Sequence, residues 1–96
     1  MKPSEALNVH RAGLRQILSR YGLRNPRVFG SVLTHTDDEE SDLDLLVDRG
    51  EKTSLLDLGG AEYEAEQLTG VKVSVLTPGF LSPKFRDKVL QTAQPL

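Results

Sequence analysis

Two aspartates and a glycine–serine pair are the residues of this sequence whose types and spacing could do chemistry. Gly30 and Ser31 end a short apolar run, and Asp42 and Asp44 begin a second one after ten intervening residues. In a strand, residues i and i+2 point to the same face, so the two carboxylates would project side by side. Adjacent carboxylates repel each other unless a cation lies between them, and Mg2+ favours carboxylate and phosphate oxygens as ligands. The pattern therefore predicts a metal site made of Asp42 and Asp44.

The glycine–serine pair suits a phosphate group. Gly30 has no side chain, so its backbone can approach a phosphate closely. Ser31 can begin a short helical turn whose first N–H groups are free to bind an anion. A Gly-Ser turn is common and alone does not indicate a phosphate site. It is informative here because of its spacing to Asp42. An antiparallel pair of strands would bring the turn and the acids to one edge.

Gly-Ser, ten residues and Asp-x-Asp together resemble the motif of the nucleotidyltransferase superfamily of the DNA polymerase beta type. The short chain looks like the minimal form, the MNT domain, which is typically paired with a HEPN partner in prokaryotic toxin–antitoxin modules. The resemblance implies one minimal nucleotidyltransferase domain over residues 1–96, with Mg2+ as cofactor and a nucleoside triphosphate, expected to be ATP, as substrate. It assigns Asp42 and Asp44 to catalysis and metal binding, and Gly30 and Ser31 to the phosphates.

The resemblance is incomplete at one position. The superfamily places a third carboxylate on the strand after the second helix, and the matching residue here is Ser74. A serine hydroxyl is a weak neutral ligand and does not act as a base near pH 7. A replacement base would have to come from Asp37, Asp38 or the partner.

Three functions follow from these residues. In the first, the protein is an enzyme that transfers a nucleoside monophosphate to a hydroxyl, expected on a tyrosine of a partner protein, as the antitoxin of a HEPN/MNT pair. In the second, a catalytically weak or inactive antitoxin neutralises a HEPN ribonuclease by binding alone. In the third, the protein is an unrelated acidic helper domain and the spacing is a coincidence. The two retained carboxylates favour the enzyme.

Composition excludes other classes of protein. Ninety-six residues suffice for one small core, and the absence of cysteine excludes disulfides, thiolate metal sites and a cysteine nucleophile. Two tyrosines and three phenylalanines offer no stacking platform for direct nucleic-acid reading. No signal-peptide-like or membrane-spanning run is present, so we expect a cytoplasmic protein without a membrane partner. Assembly into a homo-oligomer stays open.

The charge distribution is uneven although the net charge is only −2. Residues 1–29 carry six basic residues and one acid, whereas residues 30–70 carry twelve acids and two basic residues. The acidic run at 37–40 is predicted to be a solvated loop. The basic first helix could face an acidic partner, RNA or a nucleotide. Most of its arginines are expected to be ordinary solvated surface residues.

Hydrophobic periodicity predicts an α+β fold with the order α-β-β-α-β-α. The predicted helices cover residues 4–21, 54–69 and 83–92, and the predicted strands cover 27–29, 42–47 and 71–76. The first two strands should be antiparallel, and a right-handed crossover should make the second and third parallel. The result is a small mixed sheet with helices packed mainly on one face.

The second predicted helix contains a glycine pair. Gly59 and Gly60 cost about 1 kcal/mol each relative to alanine, and indicate close packing, a kink or the approach of a partner. The predicted stripe, apolar except for Glu62, comprises Leu55, Leu58, Glu62, Ala65 and Leu68, with Leu56 and Ala61 alongside. The three glutamates predicted to lie on the exposed side are Glu62, Glu64 and Glu66. In the last helix, Phe85 and Val89 are predicted to form an apolar edge.

Overall fold

The computed structural model describes all 96 residues, as three α-helices and a four-stranded mixed sheet. The elements in chain order are α1 (Pro3–Arg20), β1 (Leu23–Phe29), β2 (Leu43–Arg49), α2 (Leu55–Thr69), β3 (Val73–Leu76), α3 (Pro83–Thr92) and β4 (Gln94–Pro95), with a 3-10 turn at Pro78–Phe80. The strand order is β3-β2-β1-β4, with β1 antiparallel to both neighbours and β2 parallel to β3. The predicted order and mixed sheet are confirmed, and β4 is an addition at the edge. No helix combines the length and apolarity that crossing a membrane requires.

The core lies between α1, α2 and one face of the sheet. Alternation along β2 turns Leu43, Leu45 and Val47 into this core, where all three are fully buried. The opposite face of β2 carries Asp44, and Leu46 on that face is also buried. The 3-10 turn contacts β2. The sheet thus separates a helix-covered core face from a second face that carries the candidate site.

Strand β1 begins four residues earlier than predicted. Leu23 is buried and pairs with Arg49, but the register shifts between Arg24 and Arg27. The irregularity contains Asn25, whose φ is +51°, and Pro26. Proline lacks an N–H and is confined within sheets to strand starts, edges or irregular positions. The register shift leaves Pro26 outside the residues that pair with β2, so its missing N–H costs no hydrogen bond between β1 and β2.

The predicted apolar stripe of α2 is wrong in part. Leu55 and Leu56 are exposed, whereas the buried face comprises Leu58, Ala61, Ala65 and Thr69. The last turn packs closely on α1, because a Cβ built on Gly13 would lie 2.7 Å from Cδ2 of Leu68. Small residues therefore set the approach of α2 to the core, and two leucines face outward.

The two glycines of α2 have different surroundings. A Cβ on Gly60 would lie 2.7 Å from Cε1 of Tyr21, which is too close for an alanine without movement of the ring. A Cβ on Gly59 would meet nothing within 4 Å. Close packing therefore explains Gly60 but leaves Gly59 unexplained by the fold.

The three glutamates predicted to be exposed on α2 form hydrogen bonds instead. Glu66 Oε2 accepts from the N–H of Val73 at 3.0 Å, and Glu62 Oε2 accepts from the N–H of Val75 at 2.8 Å. Because β3 is an edge strand, these two N–H groups have no neighbouring strand to bind. Glu64 accepts hydrogen bonds from Arg20 and Tyr21, which join α2 to α1.

Candidate functional site

The turn after β1 presents free backbone donors. The N–H groups of Leu33 and Thr34 both donate to the Gly30 carbonyl, at 3.1 and 3.2 Å, and close one helical turn. The N–H groups of Gly30, Ser31 and Val32 make no hydrogen bond within the chain. These are the donors that a helical turn leaves unpaired at its start, and an anion can satisfy them.

Gly30 packs against Asp44. Strand pairing sets Phe29 opposite Asp44, which brings the turn to the start of β2. A Cβ on Gly30 would overlap Oδ2 of Asp44 and lie 3.2 Å from its Cγ, and φ of Gly30 is +79°. Only glycine satisfies both conditions without strain. The predicted juxtaposition of the turn and Asp44 is therefore present, whereas Asp42 lies directly before β2 and not within it as predicted.

The two carboxylates have no compensating charge. Asp44 is half-buried, and burial followed by the negative charge of Asp42 raises its pKa to about 6. No ion pair of the chain includes Asp42 or Asp44. Two carboxylates that repel each other and lack a basic partner form an incomplete site, which a cation would complete.

Ser74 lies beside Asp44 on the neighbouring parallel strand, where the two residues pair directly. A residue in this register points to the same face of the sheet, so a third carboxylate here would join the first two. No group of three or more histidine, aspartate or glutamate side chains that could hold a metal is present. The donor set therefore fits one Mg2+ shared with phosphate oxygens, and a second metal lacks its carboxylate.

Both candidates for a replacement base, Asp37 and Asp38, already accept hydrogen bonds within the chain. Asp37 Oδ2 accepts from the N–H of Ser4 in α1 at 2.9 Å, and this hydrogen bond lowers the pKa of Asp37. Asp38 Oδ1 accepts from the N–H of Glu40 at 2.9 Å and from the hydroxyl of Ser41 at 3.1 Å. The loop predicted to be merely solvated is thus tied to α1, and a lowered pKa makes Asp37 a weaker proton acceptor.

A cavity of about 440 Å³ also borders the turn. Its lining includes Arg11 of α1, Val28 of β1, and Val32 and His35 of the turn, but neither Asp42 nor Asp44. Sequence reasoning did not indicate this cavity, because its walls come from elements that are distant in the chain. It is distinct from the carboxylate site.

Residues 11–96 match the family model of the nucleotidyltransferase domain. The chain belongs to the nucleotidyltransferase domain family. This result confirms the resemblance indicated by the residues from Gly30 to Asp44. It also supports the assignment of the chain to the nucleotidyltransferase class of enzymes. Family members use nucleoside triphosphates as substrates.

Individual relatives agree with the family. A candidate protein adenylyltransferase of Methanocaldococcus jannaschii is 40% identical over 77 residues, which cover 80% of this chain and 83% of that protein. A solved structure of a candidate minimal nucleotidyltransferase has a TM-score of 0.85 and 39% identity, and the match covers 97% of this chain and 95% of that one. A toxin–antitoxin crystal structure with AMP-PNP has a TM-score of 0.73 over 88% of this chain and 69% of that chain. Its identity of 15% means that this likeness shows the fold alone.

Proposed function

We propose that residues 1–96 form one minimal nucleotidyltransferase domain that transfers AMP from ATP to a hydroxyl of a partner protein, with Mg2+ as cofactor. The observation that carries this proposal is the juxtaposition of Asp42 and Asp44, which lack a basic partner, with the free N–H groups at Gly30 and Ser31. The relative named as a candidate protein adenylyltransferase supports ATP as the donor and a protein as the acceptor.

Each residue has a defined role in this proposal. The backbone of Gly30 and the N–H and hydroxyl of Ser31 hold the terminal phosphates, while Asp42 and Asp44 hold Mg2+. When bound, Mg2+ neutralises the charge of the phosphates and of the departing pyrophosphate. A bond forms between the acceptor oxygen and the α-phosphorus, and the bond from that phosphorus to the β-phosphate breaks. The hydroxyl proton goes to the partner or to solvent, because Ser74 is not a base at neutral pH.

Ser74 favours a second function. With two carboxylates the site can bind one Mg2+ and a triphosphate, but it lacks the ligand for the second metal of a two-metal clamp. The protein would then be an antitoxin that covers a HEPN ribonuclease and neutralises it by binding alone. The likeness of its fold to a toxin–antitoxin structure supports this setting.

Incubation with labelled ATP, Mg2+ and the co-expressed partner tests the proposal directly. We expect label on the partner, and we expect Asp42→Asn and Asp44→Asn to abolish it. Glu40→Gln is the matched control, because it removes an exposed acid of the neighbouring loop and should leave transfer unchanged. Absence of labelling by the wild-type chain, with neutralisation of the partner intact in Asp42→Asn and Asp44→Asn, would contradict transfer and support binding alone.

A further inference from the structure

One side of α2 faces away from the core and is apolar. This outer α2 face consists of Leu55, Leu56, Gly59 and Tyr63. Leu56 is 87% exposed, Tyr63 is 64% exposed and Leu55 is 60% exposed, so three large side chains of one helix lie in solvent. Leu56, Gly59 and Tyr63 follow the spacing i, i+3, i+7, so they lie in one line along the helix.

Gly59 lies in the middle of this face without a reason from the fold. No atom lies within 4 Å of a Cβ built there, and the residue is helical. Glycine inside a helix costs roughly 0.5–1 kcal/mol relative to alanine, so alanine would stabilise the isolated chain. A glycine on an exposed apolar helix face leaves room for another backbone to approach closely.

The charge of α2 indicates what kind of surface fits it. The helix carries four acids, Asp57, Glu62, Glu64 and Glu66, and no basic residue. Glu62 and Glu66 lie along one side of the outer α2 face, and each keeps its negative charge because its hydrogen-bond donor is an uncharged N–H of β3. The charge of Glu64, on the other side, is already paired with Arg20. A helix with apolar and basic side chains is therefore the complementary partner.

The chain itself contains such a helix. No residue of α3 is buried, although the helix is ten residues long. Lys84, Phe85 and Lys88 lie at i, i+1 and i+4, and together form what we call the basic α3 face. Phe85 is 60% exposed. Arg86 is not available, because it donates to the carbonyls of Pro78 and Leu81.

We propose that the outer α2 face binds the basic α3 face of a second copy of this chain. The two faces have opposite charge, the α2 face exposes Leu56 and Tyr63, the α3 face exposes Phe85, and Gly59 leaves room for the approaching helix. A short helix without buried residues is marginal by itself, and docking would supply the apolar contact that α3 lacks. The contact requires neither nucleotide nor Mg2+.

Sedimentation analysis over a range of protein concentrations tests the proposal. We expect the wild-type chain to self-associate, and Leu56→Asp and Phe85→Asp each to raise the dissociation constant about tenfold or more. Val9→Asp is the matched control, because Val9 is 67% exposed on α1 and lies outside both faces. A mixture of Leu56→Asp and Phe85→Asp should associate more strongly than either variant alone, because one has an intact α3 and the other an intact α2.

Gly59→Ala separates association from folding. It should raise the melting temperature of the dilute monomer, because alanine is the better helix former and meets no atom. The same variant should weaken self-association, because the added methyl group blocks close approach. A wild-type chain that stays monomeric up to its solubility limit would overturn the proposal. So would unchanged association in Phe85→Asp or Gly59→Ala, including the case in which only an unrelated partner binds the α2 face.

Discussion

The backbone of Gly30 lies directly against the carboxylate of Asp44, leaving no room for a Cβ between them. The contact joins the end of β1 to the start of β2, because Phe29 and Asp44 are paired in the antiparallel register. It therefore links the free N–H groups of the turn to the half-buried acid. Phosphate binding and metal binding in the proposed site depend on this one contact.

Gly30→Ala should destabilise the protein by about 2 kcal/mol or more. About 1 kcal/mol comes from the left-handed backbone conformation, and the rest from displacement of the Asp44 side chain. Urea denaturation gives the free energy of unfolding. Gly70→Ala is the control, because φ of Gly70 is +73° but no atom lies within 4 Å of its Cβ position. Equal losses in the two variants would show that contact with Asp44 is unimportant.

Asp44→Asn should stabilise the metal-free protein at pH 7. The pKa of Asp44 is raised from 3.8 to about 6, so the folded state binds more protons than the unfolded state between those values, and stability falls as pH rises through this range. We expect the free energy of unfolding to rise by about 1–2 kcal/mol. The full pKa shift of Asp44 corresponds to roughly 3 kcal/mol, but solvent screens this half-exposed carboxylate and reduces the effect. Denaturation at pH 4 and pH 7 checks this, since the gain should vanish at pH 4.

Ser74→Asp should complete a set of three carboxylates. The new acid would lie beside Asp44 and add to the repulsion, so the metal-free protein should lose stability at pH 7. Mg2+ should restore that stability and bind more tightly than in the wild type, as titration calorimetry would show. Labelling of the partner by ATP should increase. Ser74→Asn, which adds no charge, should change neither quantity, and a similar gain with asparagine would argue against a role for charge.

Gly60→Ala should destabilise the protein by about 1–3 kcal/mol, because the methyl group forces the Tyr21 ring to move. Denaturation of Gly60→Ala/Tyr21→Ala alongside the single variants measures the coupling between the two residues. The double variant should show a smaller loss than the sum of the single losses. Strict additivity would mean that the ring is not what requires glycine.

Glu66→Ala should leave the N–H of Val73 without its acceptor and cost about 1–3 kcal/mol. The freed edge of β3 should also promote aggregation, because unpaired strand edges pair with other chains. Glu66→Gln retains an acceptor oxygen and should lose less. Light scattering during refolding measures aggregation, and equal aggregation of all three proteins would contradict this role of the glutamate.

Much of the fold and the candidate site follows from local pattern. The period of two in β2 assigns Leu43 and Leu45 to the core and Asp44 to the other face, because alternate side chains of a strand point in opposite directions. The short connection from Gly30 to Asp42 favours an antiparallel pair, which brings the turn beside the acids. These are relations between residues close in the chain, so sequence alone could predict them.

Other features were decided only by tertiary structure. Sequence indicated a glycine pair in α2, but only the packed helices show that Tyr21 requires Gly60 and that no contact within the chain requires Gly59. Likewise, the sequence predicted that Glu66 and Asp37 are solvated acids. In the structure Glu66 accepts a hydrogen bond from β3, and Asp37 accepts one from α1. The physical reason is the same in each case: the partner is brought close by packing between elements, and no periodicity in the chain encodes its identity.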